Sequence, residues 1–482
     1  MKPANLGDYY RLQCAALERL AKTTSPWQGE ALELLGLAYR ETENADELLD
    51  ILHRIQRLHK VAIAGLADNP FFLAAVQDVA LPLWGDFGSP PVPLDLQDSL
   101  AAKLYNCVPG DTALISLGDG ARQIGLWLIE KCRASGVHFL IVFADPVFDV
   151  LVINHADETG VKALSDDFLK LTGPATKRIV ARAGLPDTDP PTPDETKQRQ
   201  FDRALKPYSD RLRSGNLFYT LTSIPTPRDA EVDGIPYEDY IKLFFEMCDQ
   251  PWDRIGRAQE KLIGEFNAAE EVRITNADGT DLRMNIKGFT FCNSLIAKNV
   301  PGSEIFSAPR RDSVEGIIVA KGRFSPPGTK RGIIENLTME FKGGHLENFK
   351  ADSGVELFAN AVSIDEGARW VGELGIGTNP HLRKHVLNGL LVEKIGGSFH
   401  VALGACYSFK EYAGIPVNVD NGNQSALHWD VTTMLHGRQG QIWLDGRPVM
   451  DDGLWLDKAY DVLNRGWKSV PVDERPEYWK NY

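Results

Sequence analysis

The side chains best suited to chemistry are gathered in one stretch, residues 393–430, where EKIGGSFHVALGACY is followed by HWD. It holds Glu393, His400, Tyr407, His428 and Asp430 among small residues and β-formers. If SFHVALGA is a strand, its two-residue period sends His400, Ala402 and Gly404 to one face and Phe399, Val401 and Leu403 to the other. A lone imidazole among Ala and Gly has open space in front of it, as a metal or substrate requires. In His428-Trp429-Asp430 the same period turns both polar side chains to one face, so an imidazole nitrogen and a carboxylate oxygen can converge on one cation. Divalent zinc, cobalt or manganese accepts that mixture. The plainer readings are a hydrogen-bonded core histidine at 400 and a strand end with solvated polar groups at 428–430.

Two further carboxylates stand in unusual settings. Glu304, in NVPGSEIFSAPR, is bracketed by Pro301 and Pro309, and Glu373, in RWVGELGIGTNP, is hemmed by Gly372, Gly375 and Gly377. Glycines around an acid let backbone approach a bound group; otherwise both are turn or edge glutamates. His381 and His385, four residues apart, have the spacing of a zinc-binding helix, but the intervening Leu-Arg-Lys lacks the glutamate of HExxH and adds two cations. A solvated helix face is expected there. Glu304, Glu373, Glu393 and Asp430 with His400 and His428 are too many ligands for one tetrahedral ion. They suit two divalent ions sharing a carboxylate bridge.

The elements that must carry these groups lie in the last of three segments. From residue 266 to 482 the pattern is mostly β: EVRITNADGTDLRMNI turns at Asp278-Gly279, QIWLDGRPVM turns at Asp445-Gly446, and GFTFCNSL, EGIIVAKGRF, RGIIENLTMEF and HVALGACYSF read as strands. SGVELFANAVS and PHLRKHVLNGLL read as helices, the latter with Asn379 as N-cap and Pro380 in the first turn. Residues 95–265 alternate helix and strand. ALISLG, a helix, and VHFLIVFA form a βαβ unit of a parallel sheet, and NLFYTLTS resumes it. Gly118-Asp119-Gly120 lacks the GxGxxG of a dinucleotide site. LPDTDPPTPDETKQRQ is expected to be an exposed loop. Residues 1–94 form a helical extension over 7–82, with His53 and His59 on a solvated face, ending in the linker GDFGSPPVPLD near Leu94. The fold class is α/β and α+β multidomain.

A net charge of −14 without a Lys/Arg run argues against nucleic-acid binding. Six scattered cysteines without a CxxC pair fit a reducing cytoplasm. No signal-peptide pattern opens the chain, and no apolar run approaches the ~18 residues of a membrane span, so a soluble cytoplasmic protein is expected.

GSEIFSAP, GELGIGTNP, EKIGGSFHVALGACY and HWD, in this order and spacing, resemble the thermophilic-type metalloaminopeptidase family, that of aminopeptidases T and S. The resemblance covers roughly residues 95–482 and is strongest over 300–450. It implies a homodimeric hydrolase that trims peptide N-termini with two divalent ions. Glu304, Glu373, Glu393, His400, His428 and Asp430 would be its metal ligands and Tyr407 its active-site tyrosine. Relative to that pattern the chain has more residues between Glu393 and His400, and an added helical extension. In such a site two cations acidify a bridging water and polarise the scissile carbonyl. Glu373 or Glu393 would move the proton, and Tyr407 would donate to the oxyanion. The alternatives are a ring-cleaving iron(II) dioxygenase of the same superfamily, with His400, His428 and Asp430 as its facial triad, or another amide hydrolase.

Overall fold

The computed structural model describes residues 11–22, 27–40, 42–72, 87–186, 190–213, 215–296, 298–327 and 332–482. Residues 7–10 and 73–82 of the expected helical stretch, and Gly85 and Asp86 of the expected linker, lie outside them. The chain divides into two compact units, residues 1–245 and 246–482.

In the first unit, helices α1 (Arg11–Ala21), α2 (Gln28–Tyr39) and α3 (Ala45–Ile63) precede α4 (Leu94–Leu104). Strands β1 (Thr112–Leu117), β2 (His138–Phe143), β3 (Lys177–Ala183) and β4 (Phe218–Ile224) then form a parallel sheet in the order β2-β1-β3-β4. Helix α5 (Arg122–Ser135) makes the β1–β2 crossover.

Helix α3 starts where Asn44 accepts from the backbone N–H groups of Asp46 and Glu47, a side-chain N-cap. It covers the sheet's β2 edge. Buried Gln56 donates to the Ile141 carbonyl at 2.5 Å and accepts from the Phe143 N–H at 3.1 Å. One amide side chain thus stands in for a neighbouring strand, the pairing an edge otherwise lacks.

The expected solvated face at His53 and His59 is overturned. His59 is buried with Nε2 2.9 Å from Asp167 Oδ2, and the His53 ring packs 4.6 Å from Phe143. The intervening Arg and Lys suggested solvent, but the long side chains can reach the surface while the imidazoles pack inward. The exposed loop expected over 185–200 is helical from Glu195, because Asp194 caps the N–H groups of Thr196 and Lys197.

In the second unit, helix α6 (Trp252–Ala268) precedes two antiparallel sheets. The larger has the order β11-β10-β9-β6-β5-β17-β18-β19. Its strands are β5 (Glu271–Thr275), β6 (Asp281–Asn285), β9 (Glu315–Phe324), β10 (Ile334–Lys342), β11 (His345–Ser353), β17 (Gln441–Leu444), β18 (Arg447–Asp451) and β19 (Leu454–Trp455). The smaller, β16-β13-β12-β8-β7, contains β7 (Cys292–Ser294), β8 (Glu304–Ser307), β12 (Val371–Gly377), β13 (Ser398–Gly404) and β16 (His428–Met434). β14 (Glu411–Tyr412) and β15 (Ile415–Pro416) pair separately. Ile305, Leu374, Ile376, Phe399, Val401, Leu403, Trp429 and Val431 point from the smaller sheet into one core with Ile255 and Phe266 of α6 and Val272, Ile318 and Leu337 of the larger sheet. The hydrophobic effect fixes which face of each strand goes inward.

The helix expected over 380–391 reduces to α7 (Gly389–Val392), capped by Asn388. Asn379 instead accepts from the His381 N–H and donates to the carbonyls of Met247 and Gly302, and the Leu382 carbonyl accepts from Gly396 N–H. Distant partners replace the local helical ladder.

Gln56→Leu removes both of these buried hydrogen bonds to β2. We expect it to destabilise the first unit by about 2–3 kcal/mol, read as earlier exposure of that unit in hydrogen exchange or limited proteolysis.

Candidate metal centre

Residues directly opposite one another on neighbouring antiparallel strands share a face, so the register of the smaller sheet lays out its polar face row by row. Glu373, Ala402 and Asp430 form one row across β12, β13 and β16. Phe306, Gly375, His400 and Thr432 form the next, while Glu304 lies opposite Gly377 and His428 opposite Gly404. A register shift between Val371 and Glu373 brings the glutamate onto this face. Small residues separate the charged ones, and at Gly375 the reason is steric. A Cβ built there would overlap the His400 imidazole at Nε2, so the missing side chain is the space in which the ring lies.

The functional atoms converge. Glu373, His428 and Asp430 each offer a ligand atom, all within 4.8 Å of one another. His400 Nε2 lies 3.5 Å from Glu304 Oε2, 3.8 Å from Glu373 Oε1 and 4.0 Å from Asp430 Oδ1. His428 Nε2 lies 3.3 Å from Glu373 Oε2 and 3.8 Å from Asp430 Oδ2. Glu373 therefore presents one oxygen to each histidine. The Nδ1 of His428 is 2.7 Å from the Ala405 carbonyl, which can only accept, so this nitrogen is the donor and Nε2 is aimed at the carboxylates. Glu393 follows α7 and joins the group through Lys394, whose ammonium donates to it at 3.0 Å and also to Glu304.

Tyr407 is reached by leaving β13 at Gly404, whose φ of 98° is open to glycine. Its ring packs between Phe306 at 5.4 Å and His428 at 5.3 Å, with the residue 38% exposed. Hydrogen bonds from Asn423 to the Gly367 and Gly404 carbonyls, and from Cys406 N–H to the Asn423 carbonyl, hold the turn that carries it.

The electrostatics call for cations. Burial raises the carboxyls of Glu304 and Asp430, the latter to about 8 with Glu393 and Glu373 repelling its ionised form. Burial alone would depress the imidazoles, but hydrogen bonding to Glu373 and the charge of the carboxylates outweigh it, lifting His400 to about 9 and His428 to about 10. Burial likewise opposes the ionised form of Glu373, yet the two histidines hold it down at about 2. Protons thus supply part of the positive charge that the acids demand. Glu304 Oε2 and Asp430 Oδ1 are sealed from solvent and make no hydrogen bond, and Glu373 Oε2 is sealed as well, with His428 Nε2 facing it at 3.3 Å. This donor set fits divalent cations held by carboxylate and imidazole. The charge of Glu373, with burial and Asp430 behind it, raises the Tyr407 phenol, which stays protonated.

His381 and His385 are elsewhere. His381 Nε2 is 2.8 Å from Glu246 Oε2, and His385 packs edge-on to Phe324 with burial lowering it to about 4. His385 does line a cavity of about 170 Å³ that also reaches Glu393, His428 and Asp430. Sequence reasoning missed this cavity, and it missed Lys394. A lysine between Val392 and Ile395, with two glycines following, is the signal that was available.

A family model for the thermophilic metalloprotease (M29) family matches residues 102–455. The chain belongs to that family. It is thereby a metal-dependent peptidase, a hydrolase. Among similar proteins, aminopeptidase PepS of Streptococcus thermophilus is 31% identical over 395 residues, 73% of this chain and 94% of that protein. Aminopeptidase AmpS of Bacillus subtilis is 31% identical over 295 residues, 54% and 70% of the two chains. Aminopeptidase T of Thermus thermophilus is 24% identical over 379 residues, 70% and 88%. The solved structure of wild-type AmpT from Thermus thermophilus shares the fold, with a TM-score of 0.61 at 22% identity over 76% of this chain and 99% of that one. Among the described residues no helix is long and apolar enough to cross a membrane.

Gly375→Ala drives a methyl into the His400 ring. We expect divalent-ion affinity to fall by about 10- to 100-fold for a stability cost of about 1–3 kcal/mol, measured by cobalt titration and thermal melting.

Proposed function

We propose that the chain is a metalloaminopeptidase that removes the N-terminal residue of peptides at a two-cation centre built from Glu304, Glu373, Glu393, His400, His428 and Asp430. The observation that carries this reading is Glu373, whose two oxygens face two different histidines, the disposition of a carboxylate shared between two ions. When bound, zinc, cobalt or manganese would supply a water acidic enough to ionise near neutral pH and a Lewis acid for the scissile carbonyl. The chain's own residues would do the rest. Glu393 has one oxygen engaged by Lys394 and borders the cavity, which suits it to take the proton of the attacking water and return it to the leaving amine. Tyr407, protonated and partly exposed, would donate its hydroxyl to the oxyanion. The carboxylate-rich floor favours a substrate with a free α-ammonium, so that attachment at the amine fixes which bond is cut. The cavity walls formed by Phe324, Val386, Val392 and the neutral His385 suit an apolar first side chain. A homodimer working in the cytoplasm belongs to the same reading, and light scattering checks the assembly.

Chelation should abolish release of the first residue from unblocked peptides, and added cobalt or zinc should restore it; N-acetylated peptides should not be cut. Oxygen uptake with a dihydroxylated heteroaromatic and no peptide cleavage would replace this reading with the iron dioxygenase.

Three variants check the roles. Tyr407→Phe should lower kcat by about 10² with metal content intact, by comparison with loss of one oxyanion donor. His400→Ala should lose at least one ion per chain by elemental analysis, whereas His381→Ala with His385→Ala should retain both.

A further inference from the structure

Lys394 is 1% exposed, and its ammonium is shared between one oxygen of Glu304 and Glu393 Oε2. Its main chain is fixed as well: its N–H donates to the Leu391 carbonyl at 3.0 Å and its carbonyl accepts from Asn379 N–H at 2.9 Å. A buried ammonium persists only where opposite charge repays its desolvation, and here two carboxylates do so. Burial alone would depress the lysine, yet Glu304 and Glu393 hold it above its ordinary value. The consequence for Glu304 is a division of labour between its oxygens. Oε1 is taken by Lys394, while Oε2 is buried without a hydrogen bond, 3.5 Å from His400 Nε2.

We propose that Lys394 is a positioning residue, a built-in cation that claims one oxygen each of Glu304 and Glu393, so that Glu304 offers the metal centre its other oxygen alone and Glu393 keeps a single free oxygen to act as the base. The inference rests on the two-cation reading. Four carboxylates are neutralised by two divalent ions, so the ammonium adds one positive charge beside the centre. Without cations, the ammonium keeps Glu304 and Glu393 from meeting as bare charges.

The test is a double-mutant cycle on the full chain, K394M, E304Q and the pair, melted with chelator and again with excess cobalt. K394M should lower the Tm of the chelated protein by about 10 °C, as expected for loss of one partner of a buried ion pair. The loss with cobalt should be less than half as large, because bound ions take over the neutralisation. E304Q placed on K394M should recover most of the loss in chelator. The visible spectrum of cobalt-loaded K394M should change in intensity as Glu304 becomes free to bind through both oxygens. Equal losses with chelator and cobalt, together with an unchanged spectrum, would reduce Lys394 to a packing residue and overturn the proposal. If K394M does not fold, the K394M/E304Q pair must fold, and its failure overturns the proposal too. A wild-type chain that takes up fewer than two ions refutes the two-cation reading instead, and the chelated half of the cycle still judges Lys394.

Discussion

Four carboxylates brought together with much of their hydration removed set the terms for the second unit. Glu304, Glu373, Glu393 and Asp430 would repel one another and lose their hydration if nothing positive stood among them, and each such ion costs several kcal/mol to bury unpaired, in round numbers. Every other feature of the site answers that demand. His400 and His428 sit between the acids with raised proton affinity, Lys394 is shut in beside them, and sealed oxygens remain on Glu304, Glu373 and Asp430 for more cationic charge. Part of the positive charge is permanent and part is proton-borne, hence exchangeable for metal.

Antiparallel pairing supplies the arrangement. Leu374, Val401, Leu403 and Trp429 anchor one face of the smaller sheet in the core, and the two-residue period then delivers Glu373, Ala402 and Asp430 to the other. Hydrophobic burial on one side thereby enforces electrostatic crowding on the other. A one-residue slip of β13 would send His400 into the core and Phe399 among the acids, so the register that packs the core also assembles the site.

How much of this was legible in the sequence follows from which interactions are local. The alternation of SFHVALGA and HWD is local, and the faces assigned from it are those the strands adopt. Glycine around Glu373 was a visible signal, but its meaning needed register: Gly375 is empty for the His400 ring, a partner twenty-five positions on. Lys394 was passed over because its meaning depends on Glu304, distant in sequence. The helix expected after Asn379 failed for a similar reason, since that asparagine is committed to Met247 and Gly302. His53 and His59 looked solvated from their neighbours' charges, whereas tertiary packing decided their burial.

The parts of the site divide by the kind of backbone that carries them. Glu304, Glu373 and His400 are on strands paired on both sides, and His428 and Asp430 are on the edge strand β16, held by its pairing with β13. Glu393, Tyr407 and His385 are on irregular segments attached to that sheet, Tyr407 beyond the turn at Gly404 and Glu393 at the end of a single helical turn. Cation binding rewards preorganisation, because carboxylates already held together pay little further to receive an ion. The groups that meet the peptide are carried instead on irregular segments attached to that scaffold, a division common at binding and catalytic sites. It also locates where relatives can differ in substrate preference without disturbing the charge balance on which the unit depends: in the walls formed by Phe324, Val386 and Val392, not in the rows of the sheet.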